Sequence, residues 1–226
     1  KKLARKKRNV RLTINGDYEN NSRIFNFQNP CIRKGDFISG KSSLEKKKTT
    51  AKYKLCFVGN LTPKKGVDNL LLALKTNKSL DHIESIDLIG DSKYKEHYIS
   101  LSKDIEINTY FHGFLDKEEI FEILSRSHVI ILPSQSEGFP KVISEGMNFG
   151  CFPIVSAVSC VPQIIHDKEN GFLLNQNNPD NINQQLDNLK KLDNKNYYRT
   201  IKKNQEFCYN FTYESYIERI NKEIFA

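Results

Sequence analysis

From Tyr53 onward, short apolar runs alternate with amphipathic stretches, and no other feature of this sequence restricts the fold as strongly. Such alternation is typical of βα units whose strands form a largely parallel sheet. The apolar runs predict strands at residues 53–58, 85–89, 105–111, 128–132 and 152–155. The amphipathic stretches predict helices at residues 67–76, 93–103, 117–127, 141–149 and within 180–226. The sequence therefore predicts an α/β fold, a Rossmann-like three-layer domain with a mostly parallel sheet.

Residues 1–52 differ from the rest of the chain in charge. They contain 15 of the 35 Lys and Arg residues but only 4 of the 27 Asp and Glu residues, and Gly and Pro interrupt them. We interpret them as a basic linker or the remnant of an N-terminal domain, with residues 53–226 as the folded domain. Like-charge blocks such as residues 1–8 and 46–48 are usually solvated; the alternative is peripheral contact with anionic lipid. No nucleic-acid-binding motif accompanies the charge, so we expect no nucleic-acid partner.

The five cysteines are an odd number and lack metal-ligand spacing. This usage fits a reducing cytoplasm, with a possible place at the inner membrane face, and predicts thiols that behave as small hydrophobic side chains. We expect no metal site. His112 and His128 lie beside predicted strands, where a hydrogen-bonded structural role is more common than a catalytic one.

The predicted strand at 128–132 leads into a polar loop, PSQSEGFP at residues 133–140, and then into a helix that ends at Gly150. Pro140 suits the first helical position, and Gly150 suits the left-handed position after the last turn. A parallel strand delivers such a loop to the carboxyl edge of the sheet, where ligands bind in open α/β folds. Free N–H groups at the helix start attract phosphate, and Gly138 allows the backbone to approach a ligand.

Two carboxylates belong to this strand–loop–helix segment. Glu137 lies in the loop and Glu145 lies eight positions later in the helix. Carboxylates accept hydrogen bonds from vicinal hydroxyl groups, such as those of ribose or hexose. Either residue alone could be an ordinary solvated Glu, but the pair in this context favours a ligand site.

A second turn follows the first predicted strand and also leads into a helix, with the sequence FVGNLTPKKG at residues 57–66. Gly59 permits close backbone approach, and Lys65 can neutralise a phosphate at the helix start. The spacing is neither that of a P-loop nor that of a dinucleotide fingerprint. Taken alone, this turn fits a generic surface loop equally well.

Five motifs stand in the order found in one enzyme family. They are FVGNLTPKKG at 57–66, LIGD at 88–91, FHGF at 111–114, PSQSEGFPKVISEGMNFGCFPIV at 133–155 and NGFLL at 170–174. Together they resemble the donor-binding, C-terminal half of the family-4, GT-B-fold retaining glycosyltransferases. The resemblance covers about residues 53–178.

The resemblance implies a role for each matching residue. Lys65 would pair with the donor diphosphate, Glu137 would contact the transferred sugar, and Glu145 would hold the ribose. Glu137 and Lys65 would be the catalytic residues. The whole donor-binding set would be Gly59, Asn60, Lys65, Gly90, Asp91, Gly113, Ser136, Glu137, Gly138, Phe139, Pro140, Lys141, Val142 and Glu145. No cofactor is expected, because cations and helix amides stabilise the leaving diphosphate in place of a metal.

The sequence departs from the family pattern at two positions. Asn60 stands where the family usually has Arg, which removes a cation from the diphosphate site, and Pro140 replaces a Gly. The family's acceptor half also precedes the donor half, and residues 1–52 are too few to supply it. We therefore expect UDP- or GDP-hexose as donor and a glycan or lipid-linked acceptor that binds through a separate N-terminal domain. A non-catalytic binding or scaffold module and a sugar-nucleotide epimerase are the alternatives.

Overall fold

The computed structural model describes residues 11–14, 24–47, 51–138 and 141–225, which contain eight strands and eight α-helices. The strands are β1 (Leu12–Ile14), β2 (Ile24–Asn26), β3 (Tyr53–Val58), β4 (Ile83–Ile89), β5 (Asn108–Gly113), β6 (Val129–Leu132), β7 (Phe152–Ser156) and β8 (Phe172–Leu174). The helices are α1 (Lys34–Leu44), α2 (Val67–Thr76), α3 (Lys95–Ser102), α4 (Lys117–Arg126), α5 (Lys141–Asn148), α6 (Pro179–Lys190), α7 (Asn194–Phe207) and α8 (Tyr213–Glu223).

Six strands form one sheet in the order β5-β4-β3-β6-β7-β8, and every neighbouring pair is parallel. All four residues of β6 are buried, as expected for a strand covered on both faces. The strand order reverses between β3 and β6, because β4 and β5 extend the sheet on one side and β7 and β8 extend it on the other. This reversal is a topological switch point, where the loops that follow β3 and β6 diverge and leave a crevice.

The predicted strands and helices of the sheet layer are present, with differences at their ends. The predicted bounds of β3 and α2 agree with the structure, and Gly150 has the expected positive φ of 77° after α5. The strand predicted from residue 105 begins at Asn108, because Ile105 belongs to the turn that ends α3. The short strand β8 was not predicted.

The capping residues explain where several helices begin. Asp116 starts α4 with a side chain that accepts from the Glu119 backbone N–H, and the Glu119 side chain accepts from the Asp116 N–H. The helical C-terminal region is three helices, α6, α7 and α8, and a 3₁₀ turn joins the last two. Asn178, Asp193 and Thr212 cap these helices with side-chain oxygens. None of the helices in the described part of the chain has the length and hydropathy to cross a bilayer.

Part of the basic N-terminal region packs against the sheet domain. Phe27, Ile32 and Leu44 are buried, and α1 lies close to α5. Lys47 is also buried, so the expectation that the block 46–48 is solvated is wrong for this residue, whereas Lys46 is exposed. The division into residues 1–52 and 53–226 stays a prediction, and the structure adds that Cys31, Ile32 and Leu44 belong to the core of the domain.

Candidate functional site

The loops that follow β3 and β6 meet at the switch point. The backbone N–H of Gln135 donates to the carbonyl of Lys64 at 3.0 Å, so the two loops are held together by their main chains. The loop after β3 brings Lys65 to the crevice, and the loop after β6 brings Glu137. The fold therefore joins two sequence motifs that are separated by more than one βα unit.

Lys65 and Glu137 form an ion pair across this junction. The Lys65 Nζ lies 2.7 Å from Oε1 and 2.8 Å from Oε2 of Glu137. The Glu137 side chain is 12% exposed and that of Lys65 is 30% exposed. Partial burial strengthens such a contact relative to an ion pair on the open surface. The two residues predicted to be catalytic are thus in direct contact.

The loop after β7 supports the backbone on which Glu137 stands. The Ser159 hydroxyl donates to the Glu137 carbonyl, and the Cys160 thiol donates to the Gly138 carbonyl at 3.5 Å. The sequence reading did not identify these two residues. Their position after a strand adjacent to β6 was the available signal, because loops after neighbouring parallel strands lie side by side. Phe139 and Pro140, predicted members of the site, lie outside the described residues.

Glu145 lies in the second turn of α5 and has different neighbours. Burial raises the pKa of its carboxyl, and Asp36 adds to the shift, while the charges of Lys117 and Lys141 oppose it. Lys117 is itself paired with Asp36 at 2.9 Å. The carboxylate therefore faces the start of α1 and the start of α4, where positive and negative charges are mixed.

Cys31 is part of the same surroundings. Burial raises the pKa of its thiol to about 12, and the nearby Glu145 contributes in the same direction. All five cysteines are free and buried, as predicted for small hydrophobic side chains. In the described ranges, no cluster of three or more His, Cys, Asp and Glu residues is arranged to hold a metal ion.

The ends of β3, β4 and β5 meet on the other side of the switch point. The Gly90 N–H donates to the Gly113 carbonyl at 2.8 Å, and the Leu61 N–H donates to the Asp91 carbonyl at 3.0 Å. Gly90 has a φ of 140°, and a Cβ at this position would overlap the Gly59 carbonyl. The predicted residues Gly59, Gly90, Asp91 and Gly113 are therefore at one edge of the sheet, as the parallel arrangement requires.

A buried carboxylate holds the end of β5. The register between β4 and β5 shifts at His112, which is the extra residue of a β-bulge. Its Nε2 lies 2.6 Å from Oδ1 of the buried Asp87, and Arg126 lies 3.2 Å from the same oxygen. Gly113 follows the bulge, and after it the side chain of Phe114 is 84% exposed. An aspartate inside an apolar strand was the signal that could have revealed this cluster.

His128 has a structural position. The backbone N–H of Lys54 donates to its Nδ1 at 3.0 Å. Burial lowers the pKa of His128 to about 4, and the charges of Lys47 and Lys54 add to this shift, so the ring is neutral near pH 7. Both histidines that flank the site in sequence are thus bonded to protein groups.

The remaining predicted residues lie around the same crevice. Asn60, Ser136, Gly138 and Lys141 are exposed, and Val142 is partly buried against the core. Every described member of the predicted set lies at a strand end or on a loop at the carboxyl edge of the sheet, or in the first two turns of α5. Their individual contacts with a ligand stay predictions.

Comparison with known proteins gives a consistent result. Residues 40–207 match the family model described as glycosyl transferases group 1. An uncharacterized glycosyltransferase of Methanocaldococcus jannaschii is 30% identical over 171 residues, which are 74% of this chain and 46% of that protein. The chain spans less than half the length of the curated relatives it matches first.

Solved structures agree with the fold. The C-terminal domain of a group 1 family protein, LpcC of Francisella tularensis, has a TM-score of 0.61 at 24% identity, with 80% of this chain and 92% of that domain covered. Anabaena HepE, solved with UDP and glucose, has a TM-score of 0.64 at 18% identity and coverages of 84% and 52%. These likenesses confirm the predicted fold class, an α/β domain equivalent to the C-terminal half of a GT-B fold.

Proposed function

This chain belongs to the group 1 glycosyltransferases, and from that premise we propose that it binds a nucleoside-diphosphate hexose and serves its transfer with retention of configuration. The observation that carries the proposal is the contact between Lys65 and Glu137 at the switch point. A cation and a hydroxyl-binding carboxylate at the place where open α/β sheets bind ligands fit a sugar diphosphate.

The donor would extend along the carboxyl edge of the sheet. Its diphosphate would lie at Lys65 and at the start of α5, where free N–H groups and the helix dipole favour negative charge. The sugar would lie at Glu137, and the ribose at Glu145. The base would lie near Gly113, where the exposed ring of Phe114 offers a surface for stacking.

Charge compensation at the leaving diphosphate would come from lysine. Asn60 is uncharged, so Lys65 and the exposed neighbouring Lys64 are the basic side chains on the loop after β3. Preorganised cations and amides stabilise the negative charge that develops as the glycosidic bond breaks. We therefore propose transfer without a metal ion, which predicts that EDTA leaves the rate unchanged.

The acceptor side of the reaction needs a second domain. We propose a glycan or lipid-linked acceptor, bound by an N-terminal half of the kind that completes the curated relatives. We also propose a cytoplasmic enzyme that contacts anionic lipid at the inner membrane face through the basic residues 1–8.

Isothermal titration calorimetry with UDP- and GDP-hexoses tests donor binding. Wild-type chain is expected to bind at least one of them, and Lys65→Met and Glu145→Ala are expected to weaken binding by about tenfold or more, because each removes a charged hydrogen-bond partner. Glu118→Ala, at an exposed position of α4, is the control and is expected to bind normally. The absence of binding to every nucleotide sugar, or equal affinity in all variants, would reject the proposal.

Retention of configuration has a separate test. The chain would be combined with the acceptor half of a relative, and the anomeric configuration of the product would be read by NMR. An inverted product would reject the proposed stereochemistry and leave donor binding intact.

A further inference from the structure

Lys65 and Glu137 form an ion pair before any donor arrives. One ammonium group contacts both carboxylate oxygens, at 2.7 and 2.8 Å. Within the described ranges, Lys65 is the one cation that forms a salt bridge with Glu137. The side chain expected to bind phosphate is thus already bound to the side chain expected to bind sugar.

The two partners differ in their freedom to move. The Glu137 carbonyl accepts from Ser159, the next residue's carbonyl accepts from Cys160, and the Glu137 side chain is 12% exposed. Lys65 is more exposed and has a flexible four-carbon stem. Lys65 therefore has more freedom to move when the pair opens than the backbone that carries Glu137.

We propose that Glu137 competes with the donor diphosphate for Lys65, and that the donor's sugar relieves this competition. The proposal rests on the proposed function, since it assumes that Lys65 binds the diphosphate. When the diphosphate takes Lys65, the partly buried Glu137 loses its cation and faces the added negative charge. Hydroxyl groups of the hexose then give the carboxylate new donors, which a free nucleoside diphosphate does not provide.

The consequence is selection between substrate and product. A nucleoside-diphosphate sugar satisfies both side chains, whereas a nucleoside diphosphate satisfies Lys65 alone. After the sugar has left, Glu137 can recover Lys65, which weakens the hold on the leaving nucleotide. Glu137 would therefore favour binding of the donor and release of the product, in addition to contacting the sugar.

Calorimetry on the full chain tests the proposal with UDP, GDP and their hexose conjugates. Glu137→Gln keeps the shape of the side chain and removes the charge that competes for Lys65. We expect Glu137→Gln to bind the nucleoside diphosphate about tenfold more tightly than wild type, which equals about 1.4 kcal/mol. The preference for the sugar conjugate over the free diphosphate should fall in the same variant. Glu137→Ala should also bind the free diphosphate more tightly, which provides a second variant if the first does not fold.

The control is Glu169→Gln, which removes the same charge from an exposed loop that precedes β8, at the opposite edge of the sheet. Its affinity for the free diphosphate should stay within about twofold of wild type, because a distant exposed charge is screened by salt. Unchanged or weaker diphosphate binding in both Glu137 variants would overturn the competition while leaving donor binding in place. Failure of wild type to bind any of the nucleotides would overturn the proposed function as well.

Discussion

The two ends of helix α5 have opposite environments. In the first two turns, Lys141 is exposed, and Glu145 is half-buried among charges from α1 and α4. At the last turn, every residue from 146 to 150 is buried. The Nζ of Lys47 donates there to the carbonyls of Leu124, Ser127 and Phe149 at 2.5–2.9 Å. We call residues 141–145 the open end of α5, and residues 146–150 with the bound Lys47 the closed end.

We expect the closed end to stabilise the fold and the open end to serve ligand binding. The last carbonyls of a helix have no partner within the helix, and a cation placed there satisfies them and favours the helix dipole. Lys47 does this for the ends of both α4 and α5. The closed end holds α5 in place, so the open end can keep groups whose hydrogen-bonding capacity is available to a ligand.

The largest effect is expected at Lys47. Lys47→Ala would remove one donor from each of three buried carbonyls and the cation between two helix ends, at a cost of about 3 kcal/mol. Ser43 and Cys151 would still donate to these carbonyls. Urea denaturation would measure the change in the free energy of unfolding. Lys46→Ala, at the exposed neighbouring position, should change it by about 0.5 kcal/mol or less. Equal losses in both variants would show that the closed end does not depend on the buried ammonium.

A smaller loss is expected from Gly40, where α1 contacts α5. A Cβ at this position would overlap the backbone oxygen of Asn148, so Gly40→Ala must push the helices apart, at about 1–3 kcal/mol. Gly35 lies in the same helix, and the methyl group of Gly35→Ala would have no other atom within 4 Å. It should be neutral or stabilise by up to about 1 kcal/mol, because Ala favours helix more than Gly does. Similar denaturation midpoints for the two variants would contradict the close packing.

At the open end, Glu145→Gln should stabilise the fold, in contrast to the two losses above. Burial raises the pKa of Glu145 above its ordinary value of 4.5. As pH rises from 4.5 to the raised pKa, the unfolded chain loses this proton before the folded chain does. The free energy of unfolding therefore falls across this pH range and stays lower at higher pH. Gln carries no such charge. The Tm of the variant should therefore be higher than that of wild type at pH 8, by up to about 4 °C, and equal to it at pH 4.

If Glu145 holds the donor's ribose as proposed, the same variant should lose donor affinity by about tenfold, because an amide replaces an ionised hydrogen-bond acceptor. Thermal scans at both pH values and calorimetry on one preparation would measure both effects. A fall in Tm at pH 8 would show that Glu145 stabilises the fold and would remove the contrast between the two ends of α5.

The smallest effect is expected at Ser159. Ser159→Ala removes one hydrogen bond to the backbone of the Glu137 loop, worth about 0.5–1 kcal/mol. Because the bond supports the Glu137 loop, donor affinity should fall about threefold, and the free energy of unfolding should fall by no more than the same amount of about 0.5–1 kcal/mol. A loss of stability without a loss of affinity would show that this bond stabilises the fold and does not contribute to donor binding.

The local elements follow from the sequence to different degrees. The bounds of β3 and α2 were predictable because an apolar run and a helical period each end at a clear change of pattern. The strand β8 was missed because three apolar residues carry no period. His112 extended β5 beyond its predicted end, since a bulge depends on the neighbouring strand and not on the strand's own sequence.

The site divides in the same way. Glu137, Glu145 and Lys65 were predicted from residue types near Gly-containing turns and from the family resemblance, and their roles toward a ligand stay predictions. Lys47 could not, because its residue type does not distinguish it from the exposed Lys46, and its burial depends on α4 and α5. The contributions of Ser159 and Asp87 depend likewise on which loops and strands become neighbours.

The sequence by itself determined the α/β class and the parallel sheet, and it predicted the type of ligand that the loops favour, because periodicity and turn chemistry act over a few residues. Only the tertiary structure decided that Lys65 meets Glu137, 72 residues away, and that Lys47 meets Phe149, 102 residues away. Strand order and helix packing set these contacts, since they bring distant segments together through burial of apolar surface shared by the whole domain.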